Sequence, residues 1–217
     1  MTAPLTLDPA DIPALAPAVF RRVWRTTTDE PGFALLRFAR AVDSRELRQA
    51  MVELVAAFRL EFVPERFGRF DQQVSSKFHR DGAPLASLLV LGYEPTTVKS
   101  RFWVADASAA ALRAGQTLSE FLKTHNPMFP AGEAALSPFV TELELPHGEP
   151  FVVVVNNSLL PAGKDNPLGL LHKAVIESPD PTGRRVINSI GFTPRSEGVT
   201  GLPSEEVERF LARDDLD

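Results

Sequence analysis

The sequence predicts a mainly β fold with flanking helices, an α+β protein whose strands close into a sandwich or barrel. Apolar residues recur close to every fourth position before about residue 70 and at every second position after it. The 217 residues include 19 Pro and 13 Gly, a turn-rich composition typical of many short strands. Because 44% of the residues are hydrophobic and 24% are charged, the chain can bury a sizeable core.

Residues 1–69 are predicted to be an N-terminal helical support with one strand. The apolar pattern indicates a helix over Ile12–Trp24, and Pro31-Gly32 leads into a strand at Phe33–Phe38. Asp43 and Glu46 match a capping box, which starts a second helix. The apolar residues of that helix could serve the core or the interface of a homodimer. They are Leu47, Met51, Leu54 and Phe58.

Residues 70–195 are predicted to be the β core of what we expect to be a single domain, 1–217. Seven strands are expected, separated by Pro, Gly and Asp turns. They are Gln72–His79, Leu85–Tyr93, Arg101–Asp106, Phe139–Leu145, Pro150–Asn156, Leu168–Ile176 and Arg185–Phe192.

Two helical regions accompany these strands. A helical insertion is predicted at 107–138, with helices at Ser108–Ala114 and Leu118–Lys123, the second opened by a capping box, and then a Phe129-Pro130 loop. Residues 196–217 are expected to form a last helix, Ser204–Ala212, and an acidic tail.

Composition excludes several classes of function. The net charge of -5 argues against a nucleic-acid partner, and the absence of cysteine excludes disulfides, Cys-ligated zinc, iron–sulfur clusters and a Cys nucleophile. No apolar stretch approaches the roughly 20 residues of a membrane span, and the start of the chain lacks the pattern of an export signal. We therefore expect a cytoplasmic protein. The sequence also lacks G-x-G-x-x-G, P-loop, H-E-x-x-H and G-x-S-x-G motifs.

The histidines are the remaining candidates for chemistry. His79 and Asp81 are two positions apart at the end of a predicted strand, so imidazole and carboxylate could face one metal ion. His172 lies in an apolar strand, where it is either a third ligand or a hydrogen-bonded core residue. His147, in a turn, and His125, at a helix end, are more typical of surface roles.

Two arginines follow His172 along the chain. Gly183-Arg184-Arg185 opens the last predicted strand and places guanidinium groups at its mouth. The planar guanidinium fork suits two-point binding of a carboxylate.

The order His79-x-Asp81, His172, Gly183-Arg184-Arg185 resembles the Fe(II)/2-oxoglutarate-dependent dioxygenase superfamily. The resemblance covers about residues 70–192 and includes an apolar strand after the H-x-D pair, within 86–93, and a proline–glycine turn that opens a strand, within 146–157. It implies a double-stranded β-helix, the jelly-roll or cupin-like barrel. The spacing from His172 to Arg185 is a little long for the family, and no R-x-S follows either arginine.

The resemblance also implies a chemistry. His79, Asp81 and His172 would bind Fe(II). Arg185, which fits G-x-R, or Arg184 would bind the far carboxylate of 2-oxoglutarate. Dioxygen would be consumed, succinate and carbon dioxide released, and an unactivated C–H bond of a small molecule or a peptide side chain hydroxylated.

Further residues could contribute to such a site. The insertion could cover the mouth of the barrel. Lys77, Arg101 and Asn156 could line the pocket, although their strand positions favour structural roles.

Two alternatives remain on the same residues. A zinc- or manganese-dependent cupin acting as a hydrolase or isomerase could use His79, Asp81 and His172 without 2-oxoglutarate. A non-catalytic cupin-like binding module could keep the residues and lack the activity. Replacement of Arg185 by alanine separates the first alternative from the oxygenase, because only the oxygenase needs a cosubstrate arginine.

Overall fold

The computed structural model describes residues 3–217 and has a mixed α+β architecture with two sheets and six α-helices. The strands are β1 (Leu5–Leu7), β2 (Phe33–Phe38), β3 (Phe62–Asp71), β4 (Leu88–Tyr93), β5 (Lys99–Ala105), β6 (Val140–Leu143), β7 (Phe151–Asn156), β8 (Leu171–Ser178) and β9 (Val186–Pro194). The helices are α1 (Ile12–Val23), α2 (Ser44–Ala56), α3 (Ala107–Arg113), α4 (Leu118–Thr124), α5 (Pro130–Leu136) and α6 (Ser204–Ala212).

The strands form a large and a small sheet. The large sheet has the order β1-β2-β7-β4-β9-β3 and the small sheet the order β6-β5-β8. All neighbours are antiparallel except β1 and β2. Neighbours that are distant in sequence, such as β4 and β9, bring the middle and the end of the chain together.

Alternation along the strands of the large sheet separates two cores. On β4, Leu89 and Leu91 pack with Phe102 of the small sheet, so the two sheets face each other. The intervening residues Leu88 and Val90 pack with helices α1, α2 and α6 on the opposite face. The large sheet is therefore covered on both faces, and only one of them looks toward the small sheet.

Helix α2 begins at Ser44, directly after the predicted capping residue Asp43. The Asp43 side chain accepts a hydrogen bond from the Glu46 amide at 2.8 Å, and the Asp43 amide donates to the Glu46 carboxylate at 3.2 Å. Leu47 and Met51 are fully buried inside the chain, and Phe58 is 7% exposed. These side chains belong to the core, which is one of the two roles that the sequence left open for them.

The predicted strand Gln72–His79 is wrong. The regular strand in this region is β3, which ends at Asp71. The next residues run beside β8, but Ser75 and Ser76 use their hydroxyls to accept hydrogen bonds from the Ile176 and Ala174 amides at 2.9 and 3.0 Å. Side-chain acceptors replace main-chain carbonyls there, which breaks the ladder into isolated contacts.

Two further elements differ from expectation. A short strand, β1, pairs with β2 near the start of the chain. Pro130 begins helix α5 instead of continuing a loop, because proline lacks an amide hydrogen and fits the first turn of a helix. The other predicted helices are present, and Ser204–Ala212 has the predicted bounds.

The C-terminal tail lies along the free edge of β3. The Asp217 amide donates to the Arg69 carbonyl at 2.7 Å, and the Asp217 carboxylate accepts from the Arg69 amide at 2.7 Å. Both main-chain groups of Arg69 that face outward are therefore paired.

Within residues 3–217, none of the helices combines the length and the apolar character that a membrane span requires.

Candidate metal centre

His79, Asp81 and His172 come together at the junction between the 72–87 loop and β8. The His79 amide donates to the His172 carbonyl at 3.0 Å, and the His172 amide donates to the His79 carbonyl at 2.9 Å. This reciprocal pair fixes the two main chains to each other. The histidines are therefore held side by side by backbone contacts, independently of any ligand.

The side chains of the three residues converge. The Nε2 atoms of His79 and His172 lie 3.4 and 3.8 Å from the same oxygen, Oδ1 of Asp81. The imidazole centroids are 4.3 Å apart. One potential ligand atom from each residue lies within 4.8 Å of the other two. Two imidazoles and one carboxylate form a facial donor set for an octahedral divalent ion, with three positions left open.

The surroundings of His79 select the nitrogen that can bind a metal. Its Nδ1 lies 2.7 Å from the Lys77 carbonyl. A carbonyl only accepts hydrogen bonds, so Nδ1 carries the hydrogen and Nε2 keeps its lone pair toward Asp81 in the neutral ring. In the protonated ring Nε2 donates to Asp81, and this hydrogen bond is the main cause that raises the pKa of His79.

His172 is held in its uncharged form. Its ring stacks on Phe102, with centroids 5.9 Å apart and planes inclined by 10°. Burial, reinforced by the neighbouring charge of His79, lowers the pKa of His172 to about 4. At neutral pH the uncharged imidazole can therefore offer a nitrogen lone pair to a metal ion. Its buried Nδ1 has no hydrogen-bond partner among residues 3–217.

Asp81 is ionised in spite of its burial. Burial alone would raise its pKa, but the hydrogen bond with His79 and the positive charges of protonated His79 and of Arg66 outweigh burial and lower it. Its second oxygen, Oδ2, lies 3.2 Å from Nη2 of Arg66. The two carboxylate oxygens thus have different neighbours.

Hydrogen bonds to the neighbouring strands fix the loop that carries Asp81. The Asn157 side chain donates to the Asp81 carbonyl at 3.1 Å and to the Ser87 hydroxyl at 3.2 Å. The Arg80 guanidinium donates to the carbonyls of Asn157, Ala83 and Pro84, each at 3.0 Å. Arg80 therefore ties the loop to the neighbouring main chain through three carbonyls.

The two candidate cosubstrate arginines occupy different environments. Arg184 is exposed, whereas Arg185 is 1% exposed. The Arg185 side chain donates to the Ser100 hydroxyl at 3.0 Å and to the Gln72 carbonyl at 3.1 Å. Its buried Nη2 has no hydrogen-bond partner among residues 3–217. A buried guanidinium nitrogen without a partner is costly unless a ligand satisfies it.

Tyr93 packs against this arginine. Its ring stacks on Phe151 at 4.5 Å, and the Arg185 guanidinium carbon lies 5.1 Å from the Tyr93 ring centroid. Burial raises the pKa of Tyr93 to about 12, with Arg185 acting to lower it and Asp81 acting to raise it. The Tyr93 hydroxyl therefore stays protonated at neutral pH.

The helical insertion supports the two histidines from behind. Phe78 and Leu171, each one residue before a histidine, belong to the same apolar cluster as Phe121 of α4. Glu133 of α5 forms ion pairs with Lys77, at 3.5 Å, and with Lys173. The buried side of the insertion therefore packs against the outer face of the small sheet, away from the space between the sheets.

The residues considered for pocket lining have structural contacts. Arg101 pairs with Glu142, with Nε and Oε1 2.6 Å apart, and is 49% exposed. The Asn156 side chain is fully buried and donates to the Val23 carbonyl of α1 at 3.0 Å, on the helix side of the large sheet. Lys77 is engaged by Glu133, and His147 is exposed. These contacts give Lys77, Arg101 and Asn156 structural roles, as their strand positions predicted.

Sequence reasoning missed Arg66 and Tyr93. Tyr93 is the single tyrosine of the chain and ends an apolar strand, a position that could have attracted attention. Arg66 gave no usable signal, because its orientation depends on an irregularity in β3.

No protein-family model matches the sequence, and no curated protein matches it significantly. Solved structures do share its fold. A taurine dioxygenase from Burkholderia xenovorans aligns over 90% of this chain and 89% of its own, with a TM-score of 0.50 and 10% identity. An asparagine oxygenase in complex with Fe(II), 2S,3S-3-hydroxyasparagine and succinate aligns over 89% of this chain and 94% of its own, with a TM-score of 0.50 and 9% identity. The likeness is one of fold, and at that level it confirms the resemblance to the oxygenases.

Proposed function

We propose that this chain is an Fe(II)- and 2-oxoglutarate-dependent oxygenase built on a double-stranded β-helix. The observation that carries the proposal is the convergence of His79, Asp81 and His172, whose ligand atoms lie within 4.8 Å of one another. The shared fold with solved oxygenases supports it.

The donor set suits iron in three respects. The Nε2 atom of His79 is free because Nδ1 is committed to the Lys77 carbonyl. His172 is neutral, and Asp81 supplies one negative charge that offsets part of the charge of a divalent ion. Bound Fe(II) and 2-oxoglutarate would supply the activation of dioxygen, coupled to oxidative decarboxylation, for oxidation of a C–H bond.

Arg185 is the residue proposed to bind the far carboxylate of 2-oxoglutarate. Its guanidinium is oriented by Ser100, the Gln72 carbonyl and the Tyr93 ring, while Nη2 lacks a protein partner within residues 3–217. An anionic oxygen at Nη2 would satisfy this nitrogen and neutralise a buried charge. The Tyr93 ring against it, which is stacked on Phe151, would exclude water and strengthen the ion pair. The prime substrate is proposed to be a small molecule or a peptide side chain.

The test is anaerobic titration of the metal-free protein with Fe(II) and then 2-oxoglutarate, followed by the visible charge-transfer band that two-point chelation produces. The wild-type protein should give the band. His172→Ala should lose it by losing the metal, and Arg185→Ala should bind metal normally but need at least about tenfold more 2-oxoglutarate. Arg184→Ala is the matched control, because its side chain is exposed, and should behave as wild type.

Each failure has a defined meaning. A protein that binds a divalent metal but gives no band at saturating 2-oxoglutarate would contradict the oxygenase and favour a zinc or manganese hydrolase or isomerase. A folded protein that binds no divalent metal would favour a binding module. A loss of 2-oxoglutarate affinity in Arg184→Ala, with none in Arg185→Ala, would reassign the cosubstrate arginine.

A further inference from the structure

Strand β3 contains an irregularity immediately before Arg66. Pro64 pairs with Phe192 and Arg66 pairs with Gly191, so Glu65 is an extra residue that has no opposite number on β9. An extra residue in one strand is a β-bulge, which changes the phase of side-chain alternation and commonly redirects a side chain beside a functional site.

The bulge explains how β3 can serve two faces. Phe62 and Phe67 both contact the core beneath the helices. They are an odd number of positions apart, so in a regular strand they would face opposite sides. The extra residue, Glu65, shifts the alternation by one position, so both rings reach the same face. Arg66 consequently lies on the other face of β3, the face on which Phe70 packs between the sheets.

On that face Arg66 contacts one oxygen of Asp81. Its Nη2 lies 3.2 Å from Oδ2, while Oδ1 is the oxygen that lies 3.4 and 3.8 Å from the two histidine Nε2 atoms. Asp81 is the one partner with which the Arg66 side chain forms a hydrogen bond among residues 3–217. The carboxylate is therefore divided, with one oxygen held by the arginine and the other turned to the histidines.

We propose that Arg66 is a positioning residue that makes Asp81 a one-oxygen metal ligand. This role rests on the metal centre of the proposed function. A carboxylate bound through Oδ1 alone leaves three positions of an octahedral ion open, enough for a two-point cosubstrate and one further ligand. A carboxylate freed from Arg66 can rotate and bind through both oxygens, which removes one of these positions. By placing Arg66 on this face, the bulge at Glu65 thereby sets how many positions of the metal stay open.

The test uses Co(II) alone as the probe, because its visible d–d bands respond to the geometry and the donor atoms around the ion and no cosubstrate is needed. The variants are Arg66→Gln, which removes the charge, and Arg66→Lys, which keeps it. Arg195→Gln is the matched control: Arg195 is 54% exposed against 51% for Arg66, and it also pairs with a carboxylate, Glu61, but not with a metal ligand. Dissociation constants, d–d spectra and the thermal midpoint of the metal-free protein are measured for each.

We expect Arg66→Gln to alter the Co(II) d–d bands, because the freed carboxylate supplies its second oxygen, while Co(II) binds at least as tightly as in wild type and the thermal midpoint without metal is unchanged. Arg66→Lys should return the bands toward those of wild type, and Arg195→Gln should match wild type in all three measurements. Wild-type bands in Arg66→Gln would overturn the role, as would altered bands accompanied by a lowered midpoint without metal. Co(II) binding without any response to 2-oxoglutarate would overturn the proposed oxygenase and leave this role intact, whereas a wild-type protein that binds no Co(II) would overturn both.

Discussion

Glu94 and Asp81 are two largely buried carboxylates that differ in how many hydrogen bonds they accept from the rest of the fold. Glu94, 16% exposed, lies on the helix side of the large sheet and accepts hydrogen bonds from Ser44, Arg69 and Asn188. Asp81, 24% exposed, has Arg66 on one oxygen, while the other oxygen faces two imidazoles. Both have a lowered pKa, but the chain itself satisfies Glu94 and leaves one side of Asp81 available to a ligand.

The difference shows how one sheet separates stability from chemistry. Asn188 of β9 points to the helix side of the sheet and donates to Glu94. Arg185, just before β9, points to the opposite side, where it packs on Tyr93 between the sheets. On the helix side both oxygens of Glu94 accept hydrogen bonds, and the buried Nε of Arg48, which has no partner there, belongs to a guanidinium whose other nitrogens donate. Between the sheets, the buried atoms without partners in residues 3–217 include Nδ1 of His172 and Nη2 of Arg185. A guanidinium nitrogen of this kind is a group that a bound anion can satisfy.

Stability measurements should separate the two carboxylates most clearly. Glu94→Gln should lower the free energy of unfolding by about 3 kcal/mol, because Arg48 and Arg69 lose their buried counter-charge. Asp81→Asn should change it by less than about 1 kcal/mol, since its arginine partner is half exposed. Urea denaturation of the metal-free proteins measures both. Equal losses would contradict the division into a structural and a ligand-binding carboxylate.

Metal affinity should show the reverse order. Asp81→Asn should weaken Fe(II) binding by about 100-fold or more, beyond what loss of a supporting residue usually causes. Glu94→Gln should stay within about threefold of wild type under conditions where it remains folded. Anaerobic titration of both variants gives the dissociation constants. A comparable loss of affinity in the two variants would show that the faces are not independent.

Lowering the pH should reduce the contribution of Glu94 to the free energy of unfolding. Burial would raise the pKa of Glu94, but hydrogen bonds from Ser44, Asn188 and Arg69 lower it. Its stabilisation is therefore complete above the ordinary glutamate pKa of about 4.3 and is lost as the pH falls through the lower value of the folded state. The difference in unfolding free energy between wild type and Glu94→Gln should shrink across this range. A difference that stayed constant from pH 7 to pH 3 would rule out this contribution.

The smallest expected effect concerns the insertion behind the histidines. Glu133→Gln should cost at most about 1 kcal/mol of stability and weaken Fe(II) binding no more than about fivefold, because its ion pairs are partly exposed. The control is Glu142→Gln, which breaks the exposed Arg101 ion pair on the same sheet and should leave metal affinity unchanged. A similar effect of both variants on metal affinity would show that the insertion gives the histidines no specific support.

Local signals in the sequence predicted the elements that depend on neighbouring residues. The Asp43–Glu46 and Thr117–Glu120 capping boxes form as expected, because each is a contact over three positions. The three candidate ligands were identified from residue types and order, and the fold brings them together. Their predicted functional role now depends on the metal and cosubstrate experiments.

Features that depend on distant partners could not be predicted. The 72–79 segment has the alternation of a strand, but hydroxyls of Ser75 and Ser76 take the place of carbonyls against β8. Strand β3 contains Pro64 and Gly68, which read as breaks in a strand, and its bulge is visible only from its pairing with β9. The orientation of Arg66 follows from that pairing. Arg185 was preferred over Arg184 by motif, and it is the buried member of the pair.

The tail along β3 also has a consequence for association between molecules. β3 is an edge strand of the large sheet, and an edge with unpaired amides and carbonyls is a template for strand addition from another chain. Asp217 occupies both outward main-chain groups of Arg69, near the C-terminal end of that edge. The acidic tail therefore covers this part of the edge and disfavours the addition of a strand from another chain there.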